Sequence, residues 1–145
     1  MLNAALGGRC RRELHQLDAA IELHRQAWVW SQNLNSLALQ ATAEELCADH
    51  APSGHWDEAA VWAEESRRSW GEAKMFVHLA AWTVAEALLR KGAAYSPPEL
   101  PEGDCYRLVA LRVDAVVERL AGRSATAESA LRAAHELDAS MAAPS

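Results

Sequence analysis

Few segments of this sequence can stop a helix, and their positions constrain the fold more than any other feature. "APSG" at 51–54 is a strong break, because Pro and Gly both interrupt helices. "SPPELPEGD" at 96–104 is a second. Gly122 is a third, and Ser124 behind it is a suitable N-cap. The stretches between them read as four helical blocks, at about 9–50, 55–92, 104–121 and 124–141. At about 1.5 Å per residue, the first two would be ~55–60 Å long and the last two ~27 Å each. Two short helices laid end to end then match one long one. The expected fold is all-α: an elongated antiparallel bundle, made of a long helical hairpin with two shorter C-terminal helices alongside. A single domain over 1–145 is expected, frayed at 1–8 and 142–145.

Composition agrees with helices. Ala, Leu, Glu and Arg dominate, while the strand formers Val, Ile and Thr are scarce. Richness in Ala and Arg with few Lys is typical of a bacterial genome of high GC content. Half of the residues are hydrophobic, so the body of the chain has the material for a core. The formal net charge of −6 and the small basic clusters, Arg9, Arg11 and Arg12 and then Arg67 and Arg68, argue against a nucleic-acid module. Cys10, Cys47 and Cys105 are far apart and odd in number, which argues against a zinc site or a disulfide framework. "MLNAALGGRCRREL" lacks the apolar core of a signal peptide, and "MFVHLAAWTVA" is too short to span a bilayer. A cytoplasmic protein without a membrane partner is the simplest expectation.

The first block contains one ambiguous stretch, "WVWSQNLNSLA" at 28–38. Leu23, Ala27, Trp30, Leu34, Leu37 and Ala41 keep the four-three spacing of a bundle seam straight through it, which predicts a continuous helix with at most a kink. Ser31, Asn33, Asn35 and Ser36 are turn and cap formers and favour a break. Gly71 is the weak point of the second block. Folding the two blocks about Pro52 and Ser53 puts Asn33 opposite about Glu72, so the weak points would form a shared waist.

Two segments carry a resemblance. "LDAAIELHRQAW" (Leu17–Trp28) and "WDEAAVWAEESR" (Trp56–Arg67) both resemble the second helix of a tetratricopeptide repeat. Leu17, Asp18, Ala20 and Ala27 fit the family's pattern in the first, and Trp56, Asp57, Ala59 and Ser66 in the second. The interval between the copies is longer than the family's usual ~34 residues. The resemblance implies an alternative fold, a short tetratricopeptide-like helical array, and a protein-binding function. "AAWTVAEALLRKG" (80–92) is similar to the Ala-Glu-Ala-Leu-rich helix of HEPN domains, four-helix bundles that include toxin RNases. Those RNases carry an Arg and a His four to six residues apart. Arg9 and His15 have that spacing here, but at the opposite end of the chain.

No nucleophile elbow, P-loop, zinc-protease motif or dinucleotide fingerprint occurs. The expected function is therefore non-catalytic: a protein-interaction, regulatory or accessory module that binds a protein partner or a second copy of itself, with no cofactor. Trp28 and Trp30 point ~200° apart on a helix, and Trp62 and Trp70 fall on different rows of the next block, so either these helices are buried on two sides in a Trp-rich core or one Trp row is left for an interface. Trp30, Trp62 and Trp70 are the interface candidates. The alternative is a ligand- or metal-binding bundle, or an RNase-like HEPN relative. In the long-hairpin register Asp18, His24, His78, Trp82 and Glu86 would meet in one pocket, although a locally bonded core histidine is the commoner role for His24 and His78.

Overall fold

The computed structural model describes residues 2–70, 81–96 and 100–143; the side chains of Leu2, Ser36, Ser69 and Trp70 lie outside the description. Every regular element among these residues is a helix: α1 (Leu2–Glu13), α2 (Leu17–Ser31), α3 (Ser36–His50), α4 (Trp56–Trp70), α5 (Ala81–Arg90), α6 (Asp104–Leu120) and α7 (Ser124–Ala142), with a 3₁₀ turn at Ala51–Ser53. Gly71 and His78, both singled out from the sequence, lie outside the described residues.

The predicted first block, 9–50, is broken twice. One break is the Ser31–Ser36 stretch. The seam spacing does continue there, but Asn35 takes an extended conformation (φ −156°, ψ 169°) and its side chain accepts a hydrogen bond from the Ala38 N–H at 2.9 Å. Ser31 Oγ meanwhile bonds back to the Trp28 carbonyl at 2.8 Å. Local side-chain bonding of this kind competes with the helix ladder, and here it wins. The other break, at 14–16, was not anticipated. The helix beginning at Leu2 also replaces the frayed segment expected over 1–8.

Four of the helix ends close in the same way. After α1, the 3₁₀ turn, α5 and α6, one residue turns left-handed: His15 (φ 57°), Gly54 (73°), Gly92 (73°) and Gly122 (81°). In each, that residue's N–H bonds three residues back and the next N–H bonds five back, as in Gly54 to Ala51, His55 to His50, His15 to Arg12 and Gln16 to Arg11. This pair of bonds satisfies carbonyls that the helix end leaves open. Three of the positions are Gly, which adopts this conformation without strain. His15 does so with a Cβ, at a cost of about 1–2 kcal/mol.

Each helix packs on the next in chain order, wherever the described residues are consecutive elements; α3 also meets α5, and α1 meets α3. The apolar core is built from small residues. Cys47, Ala59, Ala63, Val84, Ala87 and Leu88 join α3, α4 and α5, flanked by Trp56, Trp62 and Tyr95. Ala81, Ala85 and Val113 continue it between α5 and α6. Trp28 meets Trp62 edge-on, with centroids 5.1 Å apart and an interplanar angle of 75°. Alanines let helices approach closely, and the tryptophans fill the edges where they diverge.

Candidate functional site

Helix α3 is covered on several sides, and it carries acids into the interior. Glu44, Glu45 and Asp49 are all buried. Buried carboxylates need partners, because an isolated charge in the interior is costly. Glu45 and Asp49, one turn apart, face α1, where Arg9 and Arg12 are also one turn apart. Arg12 donates through Nη2 to Glu45 Oε2 at 2.6 Å and through Nη1 to Asp49 Oδ1 at 2.8 Å. A further Nη1 bond reaches the Glu45 carbonyl at 3.2 Å. Arg9 Nε donates to Glu45 Oε1 at 2.5 Å. Burial works against the Arg12 charge, but the two carboxylates outweigh it and raise its pKa above the ordinary value.

His24, from α2, completes this cluster and is 0% exposed. Its Nδ1 lies 2.5 Å from Asp49 Oδ2, and its Nε2 lies 3.2 Å from the Ala5 carbonyl and 3.9 Å from Glu45 Oε2. The ring rests against the backbone of α1 at Gly8, where a Cβ would come within 2.3 Å of His24 Nε2. That close approach explains a glycine inside a helix. An imidazole held by a carboxylate resembles a catalytic relay in outline. Here the second ring nitrogen already faces a backbone oxygen and the ring is sealed, so no substrate proton is within reach. The cluster ties α1, α2 and α3 together.

Of the pocket expected from the long-hairpin register, His78 lies outside the described residues, and the break at 32–35 interrupts the register on which the pocket rests. Asp18 is exposed in the first turn of α2. His24 takes its partners from α1 and α3, while Glu86 accepts from Arg90 on its own helix and from Arg119 on α6, both at 2.9 Å. Trp82 is half-buried, with the Arg112 guanidinium 5.0 Å from its ring centroid. Among the described residues, no group of three or more His, Cys, Asp or Glu is placed to hold a metal ion.

The interface candidates are also separated. Trp30 is 48% exposed at the end of α2, close in sequence to the exposed Val29 and Leu34. Trp62 packs against the α3–α4–α5 core instead. The Trp70 side chain lies outside the described residues.

Several concave features lie along α6. A cavity of about 230 Å³ is lined by Ala81, Tyr95, Leu100, Val109, Val113 and Asp114. Burial raises the pKa of Asp114, and pushes that of Tyr95 up to about 12. A more open groove of about 400 Å³ runs between α5, α6 and α7, lined by Trp82, Arg112, Ala115, Val116, Arg119 and Leu131. The buried Cys47 thiol, also raised to about 12 by burial, is not a nucleophile at neutral pH.

Sequence reasoning missed the partners of His24. The available signal was "AEELCAD" at 43–49, which puts acids on more than one side of a helix that also carries Leu46 and Cys47. Such a helix has to bury some of its charge. Compared with protein-family models, with curated proteins and with solved structures, the chain matches none.

Proposed function

We propose that this chain is a non-catalytic protein-interaction module, built as a short tetratricopeptide-like stack of helical hairpins. The observation that carries the reading is the placement of the two similar segments. "LDAAIELHRQAW" begins at the first residue of α2 and "WDEAAVWAEESR" at the first residue of α4, the second helices of successive hairpins α1–α2 and α3–α4. The small residues of the pattern, Ala20 and Ala27 in one copy and Ala59 and Ser66 in the other, are each 0% exposed. They occupy the positions where neighbouring helices approach. Packing in chain order suits such a stack, which buries its core between neighbours and leaves long faces for partners.

Exposed Val29, Trp30 and Leu34 at the α2–α3 turn form the first candidate contact for a partner protein or a second copy. The test replaces Trp30 with a photoreactive phenylalanine in the full chain, with light scattering alongside. The reading expects a discrete protein adduct or a concentration-dependent oligomer. A strict monomer that gives no adduct would count decisively against it. The sealed His24 cluster gives the ligand-binding alternative no comparable support.

A further inference from the structure

The groove between α5, α6 and α7 differs from the rest of the surface in its charge. The whole chain carries a formal net charge of −6, yet among the described residues the charged ones lining this groove are two arginines. Arg112 and Arg119 lie two turns apart on α6, which spaces them ~10–11 Å along the axis on one face. Ala115 and Val116 lie between them and line the groove, Trp82 lines it from α5, and Leu131, 52% exposed, lines it from α7. An enclosed cavity of ~150 Å³ accommodates benzene, so a groove of about 400 Å³ has room for a large apolar side chain even though it is open.

The arginines are oriented without being used up. Arg119 gives one Nη2 bond to Glu86 Oε1 at 2.9 Å. Arg112 lies over Trp82, and its approach to Asp138, at 3.7 Å, is beyond hydrogen-bond length. A guanidinium has five N–H donors, so both keep donors for an incoming carboxylate. Among the described residues, Glu86 and Asp138 approach this pair; of the two acids on this stretch of α6, Glu118 is bonded to Arg123 and Asp114 lines the neighbouring cavity.

From this arrangement we propose that the groove docks an acidic amphipathic segment of a partner protein: one apolar side chain between Trp82 and Leu131, flanked by carboxylates on Arg112 and Arg119. The proposal rests on the protein-interaction reading and names the partner chemistry for one face of it. Charge complementarity selects the occupant, because an acidic segment is repelled by the net charge of the chain elsewhere and attracted here.

The test uses the full chain and a fluorescently labelled helical peptide with Leu at its centre and Glu one turn before and one turn after. Binding is read by anisotropy. The acidic peptide should bind, and replacing both Glu with Lys should weaken binding roughly tenfold. The double variant R112E/R119E should reverse that preference, and Leu131→Asp, at an exposed position, should weaken both peptides with the thermal melt unchanged. Equal binding of the acidic and basic peptides, or an acidic preference that survives R112E/R119E, would overturn the proposal. So would displacement of the peptide by RNA as effectively as by unlabelled peptide, since that means generic anion binding. Adducts at position 30 with no peptide binding would overturn the groove and leave the interaction reading standing. Absence of both would remove the two together.

Discussion

The two ends of the described chain solve the same packing problem with opposite chemistry. At α1–α2–α3 the contact is ionic: two arginines, two carboxylates and an imidazole, joined across three helices. At α5–α6 and around Leu88 it is apolar and made mostly of alanine and valine. An apolar seam loses stability in proportion to the atoms removed. A buried ionic one loses it abruptly, because each partner deleted strands another charge. Removing Asp49 leaves the buried His24 Nδ1 without its acceptor and takes one of the two carboxylates from Arg12, whose Nη1 keeps only the longer bond to the Glu45 carbonyl. Asp49→Ala should therefore be the most damaging single change, costing about 3–5 kcal/mol in urea unfolding. A loss below ~1 kcal/mol would mean the cluster does not hold the three helices together. Replacing Arg12, His24, Glu45 and Asp49 together with apolar residues of similar size, which leaves only the part-exposed Arg9 to turn to solvent, should recover much of the loss.

Leu88→Ala is the matching test of the apolar seam. Leu88 is almost completely buried among Cys47, Ala59, Ala63 and Val84. The expected cost is about 2–5 kcal/mol, set by how far those neighbours collapse into the space. Unlike Asp49→Ala, it should not be rescued by changing a second residue to a different charge state. If the two variants lost the same stability and responded alike to added salt, the contrast between the seams would fail.

A smaller effect, of opposite sign, is expected at the first turn. His15 holds the left-handed conformation that Gly takes at the other three helix closures. His15→Gly should stabilise the chain by up to ~1 kcal/mol, the relief of strain being partly offset by the greater freedom of Gly in the unfolded state. The melting temperature should rise slightly. A fall would mean that the His15 side chain contributes more than its backbone costs.

The same position shows where the sequence was legible. Breaks at 51–54, 96–104 and 122 were found because Pro and Gly mark them. The break at His15 was missed because no breaker marks it; only the two returning bonds from His15 and Gln16 define it. At Ser31–Ser36 the cap formers favour a break, whereas the periodic spacing of Leu23, Ala27, Trp30 and Leu34 predicts continuity. The spacing runs through the break without a shared core, because Trp30 and Leu34 are exposed. The long-hairpin register sets His24 near His78 and Asp18 near Glu86; the break at 32–35 interrupts that register, and His24 is partnered by Asp49. The helical class needs only composition and periodicity, whereas a site drawn from three helices needs every break to be placed.

His50 carries the smallest predicted effect, and one that returns to the ionic seam from its edge. It follows Asp49 directly, yet its ring does not join the cluster: both ring nitrogens are buried with no hydrogen-bond partner among the described residues, and the His55 ring lies 6.3 Å away between centroids. Burial lowers its pKa below the ordinary 6.5, with Arg25 and His55 acting in the same direction and Glu58 and Asp49 opposing. The unfolded chain then takes up the proton more readily than the folded one. Stability should be fully present above 6.5 and fall as pH drops through 6.5 toward the lower folded value. The check is the urea midpoint measured on both sides of 6.5, in the natural chain and in His50→Gln. The variant should lose part of this pH dependence. An unchanged pH profile in His50→Gln would place the acid sensitivity elsewhere and leave the buried, unbonded ring as packing alone.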